Sequence, residues 1–324
     1  MKKTLVTLAI LAASVSAAYA QTAVTVYGVV DLGIASERGA NTKNSLLSGN
    51  QSGSRLGFKG TEDLGDGLKA NFVLENGFNA DAGSVAQSGL LFGRRATVGL
   101  SGAFGEVNLG RRNTPFYNAI DSVDPMSVGF AGNATNLITK TGTRMDNAVI
   151  YTSPQFNGVS GEVAYGFGEV PGDNTSNRQL SASAAYVLDR VSVSLAHHDA
   201  KDATGANTTK NTVIGGKYKF DVASAHLAYV RNSGNPAVDS NDWLVGVTVP
   251  LGTSTVRASY IRKDDKTAFN NDAKQLALAY TYDLSARTNF YTSYAKINND
   301  NLAVYKTNGA FGDREVNVGI RHRF

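Results

Sequence analysis

The chain has 324 residues, a formal net charge of +4, 34 glycines, 6 prolines and no cysteine. The absence of cysteine excludes a disulfide framework, thiol catalysis and a thiolate metal site. A net positive charge this small gives no support for a nucleic-acid partner. The 14 tyrosines and 14 phenylalanines, combined with abundant glycine, are typical of a long antiparallel sheet that carries aromatic belts.

The first twenty residues have the pattern of a secretory signal peptide. Lys2 and Lys3 precede an uncharged apolar run over residues 4–13, and Ala18-Tyr19-Ala20 forms a small-residue cleavage site. The apolar run is too short to cross a bilayer as a helix. We therefore predict cleavage between Ala20 and Gln21, which lowers the net charge to +2 and leaves one domain over residues 21–324.

Apolar and polar residues alternate along most of the remaining chain. Leu68, Ala70, Phe72 and Leu74 share one face of a strand, opposite Lys69, Asn71 and Glu75. The same period of two recurs over residues 191–195, 223–229, 255–260 and 315–324. A soluble β-sandwich also alternates, but its strands are usually about five or six residues long. These runs reach the roughly 9–11 residues that a tilted strand needs to cross a bilayer, so the pattern predicts transmembrane strands.

The connections between the runs are of two kinds that alternate along the chain. Short turns are predicted at residues 63–66, 101–104, 154–157, 188–190, 220–221, 250–252 and 283–285. Longer polar loops are predicted near residues 36–51, 80–88, 113–143, 171–178, 200–210, 233–241, 264–271 and 298–311. Seven turns and eight loops require sixteen strands, with both termini on the side of the short turns.

A sheet in hydrocarbon must close on itself, because no backbone N–H or C=O can be left unpaired there. The strand near residues 24–35 should therefore pair with the strand that ends at Phe324. The predicted fold class is all-β: a 16-stranded antiparallel transmembrane β-barrel without a helix in its wall.

Six segments, in order and spread over the whole predicted mature chain, resemble a known family. They are VTVYGVVD at 24–31, SRLGFKGTEDLGDGLKA at 54–70, RRATVGL at 94–100, GEVNLGR at 105–111, NAVIYTSP at 147–154 and GIRHRF at 319–324. The chain resembles the general, trimeric porins of Gram-negative bacteria, of the β-proteobacterial type. The resemblance implies a homotrimer in the outer membrane that lets small hydrophilic solutes and ions diffuse through a water-filled channel, without a cofactor.

In that family the third loop folds into the barrel and narrows the pore. The matching stretch here is residues 113–143, the longest loop, and it is unusually apolar at Phe116, Ile120 and Met126. The resemblance implies that Asp121 and Asp124 are its pore-facing acids. Similar loops often carry a Pro-Glu-Phe-Gly-Gly tip, whereas SVGFAG stands at 127–132. The missing glutamate favours a weak preference for anions.

The resemblance also implies a cluster of arginines on the wall opposite this loop. The motif positions correspond to Arg55, Arg94 and Arg144. Lys69 and Arg111 are further candidates, and ordinary solvated charge in the lumen is the alternative for all five. The alternation directs Arg55 inward and Arg95 outward, where burial against a neighbouring subunit would relieve the cost of a charge in lipid.

The last residue has two interpretations. In the family, a terminal aromatic such as Phe324 is the signal that the outer-membrane assembly machinery reads. Alternatively, Phe324 is only a member of the aromatic belt. The resemblance further implies contacts with outer-membrane lipid and lipopolysaccharide.

No other constellation amounts to a site. His197 and His198 are adjacent on a strand and point to opposite faces, so they cannot share a metal. Residues 264–265 and 270–272 could hold calcium, but solvated loops are the simpler interpretation. We expect neither catalysis nor a metal or nucleotide site. A substrate-specific channel remains the alternative function; such a channel would line its lumen with aromatic residues.

Overall fold

The computed structural model describes residues 23–138, 142–235 and 237–324, so the predicted signal peptide, including Ala20 and Gln21, lies outside the described residues. The first half of the chain forms β1 (Ala23–Arg38), β2 (Thr42–Ser48), β3 (Arg55–Gly65), β4 (Leu68–Asn79), β5 (Ser84–Val85), β6 (Arg95–Gly102), β7 (Gly105–Asn113), β8 (Arg144–Thr152) and β9 (Val159–Gly166). The second half forms β10 (Gln179–Leu188), β11 (Val191–Lys201), β12 (Thr208–Lys219), β13 (Ser224–Asn235), β14 (Val238–Leu251), β15 (Ser254–Asp265), β16 (Ala273–Asp283), β17 (Thr288–Asn299) and β18 (Arg314–Arg323).

The sheet closes through its first and last strands. β1 pairs antiparallel with β18 from Val29 opposite Arg323 to Arg38 opposite Arg314. β2 and β3 both pair with β1 and together fill one position in the wall, while β5 forms a small hairpin with the end of β4. The wall is therefore a closed barrel of sixteen antiparallel strands, as the alternation of turns and loops predicts.

The alternation separates a lipid-facing surface from an inner surface. Along β16, Leu276 and Leu278 are exposed on the outside, whereas Gln275 and Ala277 are completely buried inside. This is the arrangement expected when one face of a strand meets hydrocarbon and the other meets the contents of a barrel. No helix in the described part of the chain is long and apolar enough to cross a membrane.

The short turns lie where the sequence predicts them. β3, β6, β10 and β14 end at Gly65, Gly102, Leu188 and Leu251, and the next strands begin only three residues later. Two of the predicted long loops are wrong, because strand pairing continues into them. β1 pairs with β2 up to Arg38 opposite Thr42, which leaves a turn of residues 39–41. β13 and β14 likewise pair as far as Asn235 opposite Val238.

Residues 49–54, which we call the inward segment, leave the wall between β2 and β3. Ser48 is opposite Leu32 of β1 and Arg55 is opposite Val29, so six residues stand against two on β1. Asn50, Gln51 and Ser54 are buried. The segment is a large bulge on the inner side of the barrel, and it reduces the lumen next to the third loop.

The third loop also lies inside the barrel, as predicted. It contains a helix, α1 (Pro115–Val123), where the sequence predicts only a loop. Phe116, Ile120 and Val123 of this helix share one apolar cluster with Val213 and Ala228 of the barrel wall. The apolar residues of the loop are thus explained by packing against the inner face of β11 to β13.

Candidate pore constriction

Helix α1 has a defined start and two different sides. Thr114 caps its first turn by accepting a hydrogen bond from the Tyr117 amide at 3.1 Å, and proline occupies the first helical position. Phe116 and Ile120, four residues apart, are buried against the wall. Asp121 lies on the opposite side of the helix and is exposed to the lumen. The helix therefore presents a polar side to the pore because its apolar side is anchored.

Asp124 is not a pore-facing acid, so that prediction is wrong. Its side chain is 2% exposed, and its carboxylate accepts hydrogen bonds from the amides of Met126, Val128 and Ala134 at 2.9–3.0 Å. Burial raises the pKa of Asp124 to about 6, while these hydrogen bonds oppose the rise. Asp124 holds the chain that follows α1 in its folded form.

The tip of the third loop is tied to the far wall by polar contacts. Gln275 of β16 donates to the carbonyl of Gly132 and accepts from the Asn136 side chain, both at 2.8 Å. The Ser293 hydroxyl of β17 accepts from the Ala131 amide at 3.0 Å. Because these groups are buried, each would cost free energy if the loop moved away. The loop is a fixed element of the channel.

The inward segment is fixed by Asp31 on β1. Its carboxylate accepts from the amides of Gln51 at 3.0 Å and Ser52 at 2.6 Å, and from the Tyr291 hydroxyl at 2.6 Å. The segment also touches the third loop, since a Cβ added to Gly129 would lie 2.0 Å from the Gln51 carbonyl oxygen. The two inward elements therefore support each other.

The arginines expected at the constriction come together around one acid. Arg94 Nε donates to Glu75 Oε1 at 2.6 Å, and the Tyr27 hydroxyl donates to Glu75 Oε2 at 2.9 Å. Arg144 Nε donates to the Arg94 carbonyl at 3.1 Å, and Arg55 Nη1 donates to the Gly53 carbonyl at 3.4 Å. Arg55, Arg94 and Arg144 thus occupy one area of the inner wall. Glu75, which is not among the predicted site residues, contacts both Arg94 and Tyr27 in this area.

Two more arginines join this area. A cavity of about 210 Å³ there is lined by Tyr27, Glu75, Arg94, Arg95, Arg112, Asn113, Asn118 and Arg144. Arg95 Nε donates to the buried Thr97 hydroxyl at 3.0 Å, whereas Val98 is exposed on the lipid side. Arg95 therefore points inward, and the expectation that it faces outward is wrong. Arg112 Nη2 lies 2.7 Å from Glu162 Oε1.

Strand register could have identified Arg95. Glu75 is directly opposite Arg95 on the ladder between β4 and β6. Residues directly opposite in an antiparallel pair lie on the same face, so an inward Glu75 requires an inward Arg95. Arg94 lies before the first residue of β6. The inward direction of its side chain therefore does not determine which residues of β6 face inward.

The structure does not bring Lys69 or Arg111 into this cluster. Lys69 is exposed at the second position of β4, beside the short turn, about 20 Å along the strand from Glu75. The Arg111 guanidinium contacts the Asp146 carboxylate, and its Nε donates to the Gly93 carbonyl at 2.8 Å.

Asp121 supplies the opposing charge across the pore. Partial desolvation inside the enclosed lumen raises the pKa of Asp121, and the positive charge of Arg55 opposes that rise. Five arginines (Arg55, Arg94, Arg95, Arg112 and Arg144) therefore stand near the acids Glu75, Glu162 and Asp121. A solute in the gap experiences a transverse field from charges of opposite sign on the two sides.

Phe324 packs at the junction of the first and last strands, β1 and β18. Its amide and carbonyl form hydrogen bonds with Gly28 at 3.1 and 3.0 Å. A Cβ on Gly28 would lie 2.3 Å from the Phe324 ring, so the ring packs over the space that glycine leaves. The side chain is still 46% exposed and lies on the lipid side.

Comparisons with known proteins agree with this architecture. Residues 7–302 match the family model described as Gram-negative porin. The chain is 34% identical over 395 aligned positions to an outer membrane porin protein of Bordetella pertussis, with all of both chains covered. It is 35% identical over 356 positions to outer membrane porin protein 32 of Delftia acidovorans, again with full coverage.

Solved structures show the same fold. An anion-selective porin from Comamonas acidovorans superposes with a TM-score of 0.83 at 30% identity, covering 94% of this chain and 100% of that one. The trimer form of OmpT from Vibrio cholerae superposes with a TM-score of 0.73 at 16% identity, covering 94% and 99%. The chain therefore belongs to the Gram-negative porin family, whose members are channels of the bacterial outer membrane, and it is a diffusion porin for small hydrophilic solutes.

Proposed function

We propose that this porin passes small hydrophilic solutes without chemical recognition and prefers small anions weakly. The observation that supports this proposal is the charge at the constriction, where five arginines lie near three acids, Glu75, Glu162 and Asp121. Rings of charged side chains bias which ions enter a pore. The preference should be weak, because Arg94 and Arg112 each have an acidic partner within 2.7 Å.

We expect polar solutes to pass more readily than apolar ones. The field between the arginine wall and Asp121 should order the water in the gap, and an apolar solute must displace that water without replacing its interactions. A polar solute can align its dipole with the same field. The fixed third loop and inward segment set the width, so size should be the main criterion for passage.

The similarity to an anion-selective porin from Comamonas acidovorans supports the sign of the preference. The loop tip provides an independent argument, since residues 127–132 contain no acid. Asp121 is then the main acid that α1 offers to the pore, because Asp124 is engaged within the loop.

Liposome swelling with uncharged sugars of graded size tests the general character of the channel. We expect a rate that falls smoothly with solute size and does not distinguish stereoisomers of one size. Saturation by a single sugar would instead support the substrate-specific alternative. Liposomes that do not swell at all would contradict both functions.

The partners belong to the same proposal. We infer a homotrimer from family membership, and electrophoresis of unheated against heated samples should show a heat-sensitive trimer. We also infer that Phe324 is the assembly signal, with the outer-membrane assembly machinery as its reader, and that outer-membrane lipid and lipopolysaccharide surround the barrel. Deletion of Phe324 should reduce the assembled amount more than it reduces the conductance of channels that do assemble.

A further inference from the structure

A pocket lies inside the barrel wall at the loop ends of β14 and β15. Its cavity of about 480 Å³ is enclosed by the end of the third loop and by the loops that follow β13, β15 and β17. Leu137, Val238, Phe269 and Tyr305 are among the residues that line it. We call this cavity the mouth pocket. An apolar cavity of about 150 Å³ can hold benzene, so the mouth pocket has room for one or two rings.

Hydrogen bonds join the loops that form the walls of the mouth pocket. Asp265, the last residue of β15, accepts from the Asn271 amide at 2.8 Å. The Asn271 side chain in turn accepts from the Leu302 amide at 3.0 Å, which ties this loop to the one after β17. In that second loop, Asn299 donates to the Tyr305 carbonyl at 3.0 Å and accepts from the Tyr305 amide at 3.1 Å. The mouth pocket is thus formed before a ligand enters, as most binding sites for small molecules are.

More of the pocket surface is apolar than polar. Leu137 and Ile138 belong to the buried apolar cluster under the third loop, and Tyr305 packs against that cluster. Phe269 and Val304 stand at the rim, where they are 65% and 80% exposed. Exposed apolar side chains beside an apolar wall favour a ligand that covers them, because its ring and their surface leave water together.

The charges in the lining cancel, and the acids among them already have partners. The charged residues are two acids and two bases: Asp239, Lys263, Asp265 and Lys306. Asp239 contacts the Arg231 guanidinium, and Asp265 accepts the loop amide described above. The Lys263 ammonium donates to the Ser240 hydroxyl at 2.8 Å and to the Asp242 carboxylate at 3.3 Å. An ion that left water for this pocket would meet no net opposite charge, so the lining favours a neutral ligand.

The polar groups that remain can all donate a hydrogen bond. Within the described residues, the Tyr305 hydroxyl and the Asn271 side-chain NH₂ have no hydrogen-bond partner, and the exposed Lys306 ammonium has no acidic partner. Each of these groups is satisfied when a ligand brings an oxygen acceptor.

We propose that the mouth pocket binds an uncharged ring compound that carries a hydrogen-bond acceptor, such as an aromatic amide. The ring packs against Leu137 and Phe269, and the acceptor receives the Tyr305 hydroxyl. Because Leu137 belongs to the third loop, the occupant contacts the element that narrows the pore. The site lies apart from the arginines and does not rest on the proposed function: it retains one class of solute at the entrance, whereas the constriction acts on size and charge.

The test uses three probes of nearly identical shape that differ in charge: benzamide is neutral, benzoate is an anion and benzamidine is a cation. Each is titrated calorimetrically into the refolded full-length porin in detergent, and the heat of empty micelles is subtracted. The variants are Phe269→Ser, which removes the rim ring, and Tyr305→Phe, which removes only a hydroxyl. Phe156→Ser is the matched control, because Phe156 is also exposed, at 76%, but lies in a short turn at the other end of the barrel. The melting temperature verifies that each variant is folded.

We expect benzamide to bind at one site per chain, and benzoate and benzamidine to bind about tenfold more weakly. Phe269→Ser and Tyr305→Phe should each weaken benzamide binding about fivefold, through the lost ring contact and the lost hydrogen bond, and Phe156→Ser should bind as wild type does. The absence of saturable benzamide binding would overturn the proposal. Equal affinity for the three probes, or wild-type affinity in both pocket variants, would overturn it as well. Calorimetry requires no flux, so this result is independent of the swelling assay that tests the proposed function.

Discussion

Arg94 Nε lies 2.6 Å from Glu75 Oε1, so one arginine of the constriction is neutralised within the wall itself. Tyr27 donates to the second carboxylate oxygen of Glu75 at 2.9 Å, which fixes the acid between β1 and the arginines. Not every arginine in the pore is therefore free to act on passing ions, because the charge of Arg94 is compensated by Glu75. This relationship limits the anion preference to a weak one.

Glu75→Gln should increase the preference for anions. The amide keeps the shape of the side chain but removes its negative charge, and a unit charge about 10 Å from the ion path contributes about 0.4 kcal/mol in water. The change favours an anion and disfavours a cation by the same amount, so we expect the anion-to-cation permeability ratio, measured from reversal potentials in a salt gradient, to rise about fourfold. Glu62→Gln, the same change at an exposed position beside a short turn, is the control and should leave the ratio unchanged.

Asp121 should make the selectivity depend on pH. Partial desolvation inside the enclosed lumen raises its pKa above the ordinary value of 3.8, so its negative charge is lost at a higher pH than for a solvated aspartate. The anion preference should therefore increase as the pH is lowered from about 7 to about 4. In Asp121→Asn this increase should be much smaller. An identical pH profile in the variant would show that other groups are responsible.

Asp124→Ala should loosen the third loop without opening the barrel. The substitution leaves the amides of Met126, Val128 and Ala134 without their acceptor, which costs about 3 kcal/mol or more in loop stability. We expect noisy single-channel currents with altered conductance, and protease cleavage within the loop. Asp121→Ala removes a charge from the same loop but no such contact, and it should remain resistant to protease. Wild-type conductance and resistance in Asp124→Ala would contradict this role.

Gly129→Ala tests the contact between the two inward elements. The added Cβ would lie 2.0 Å from the Gln51 carbonyl oxygen, which is backbone and cannot rotate away. We expect a loss of about 1–3 kcal/mol in stability, seen as a lower melting temperature, together with a changed conductance. Gly39→Ala is the matched control, because its nearest neighbouring atom is 3.5 Å from the added Cβ.

The sequence predicts the barrel well because the membrane imposes the pattern directly. Hydrocarbon on one side and water on the other require alternation in every strand, and closure fixes the pairing of β1 with β18. Most short turns are equally visible, since tight connections such as the one after Gly65 interrupt the alternation sharply.

The constriction is less predictable because its parts depend on tertiary contacts. The burial of Asp124 follows from the fold of the loop around it, and no periodic pattern records that fold. The prediction that Arg95 faces outward counts Arg94 as part of β6, whereas the strand begins at Arg95, and a shift of one residue reverses the face of every side chain. The sequence predicts an external loop near residues 36–51 and no inward segment at residues 49–54, because polar residues suit an inward bulge as well as an exposed turn.

The most direct test of the central claim is the reversal potential of single channels in a potassium chloride gradient across a planar bilayer, for wild type and Arg94→Ala. Removing Arg94 takes away one positive charge and frees the negative charge of Glu75. We expect a weak anion preference in the wild type and its loss or reversal in the variant. Clear cation preference in the wild type, unchanged by Arg94→Ala, would contradict the account.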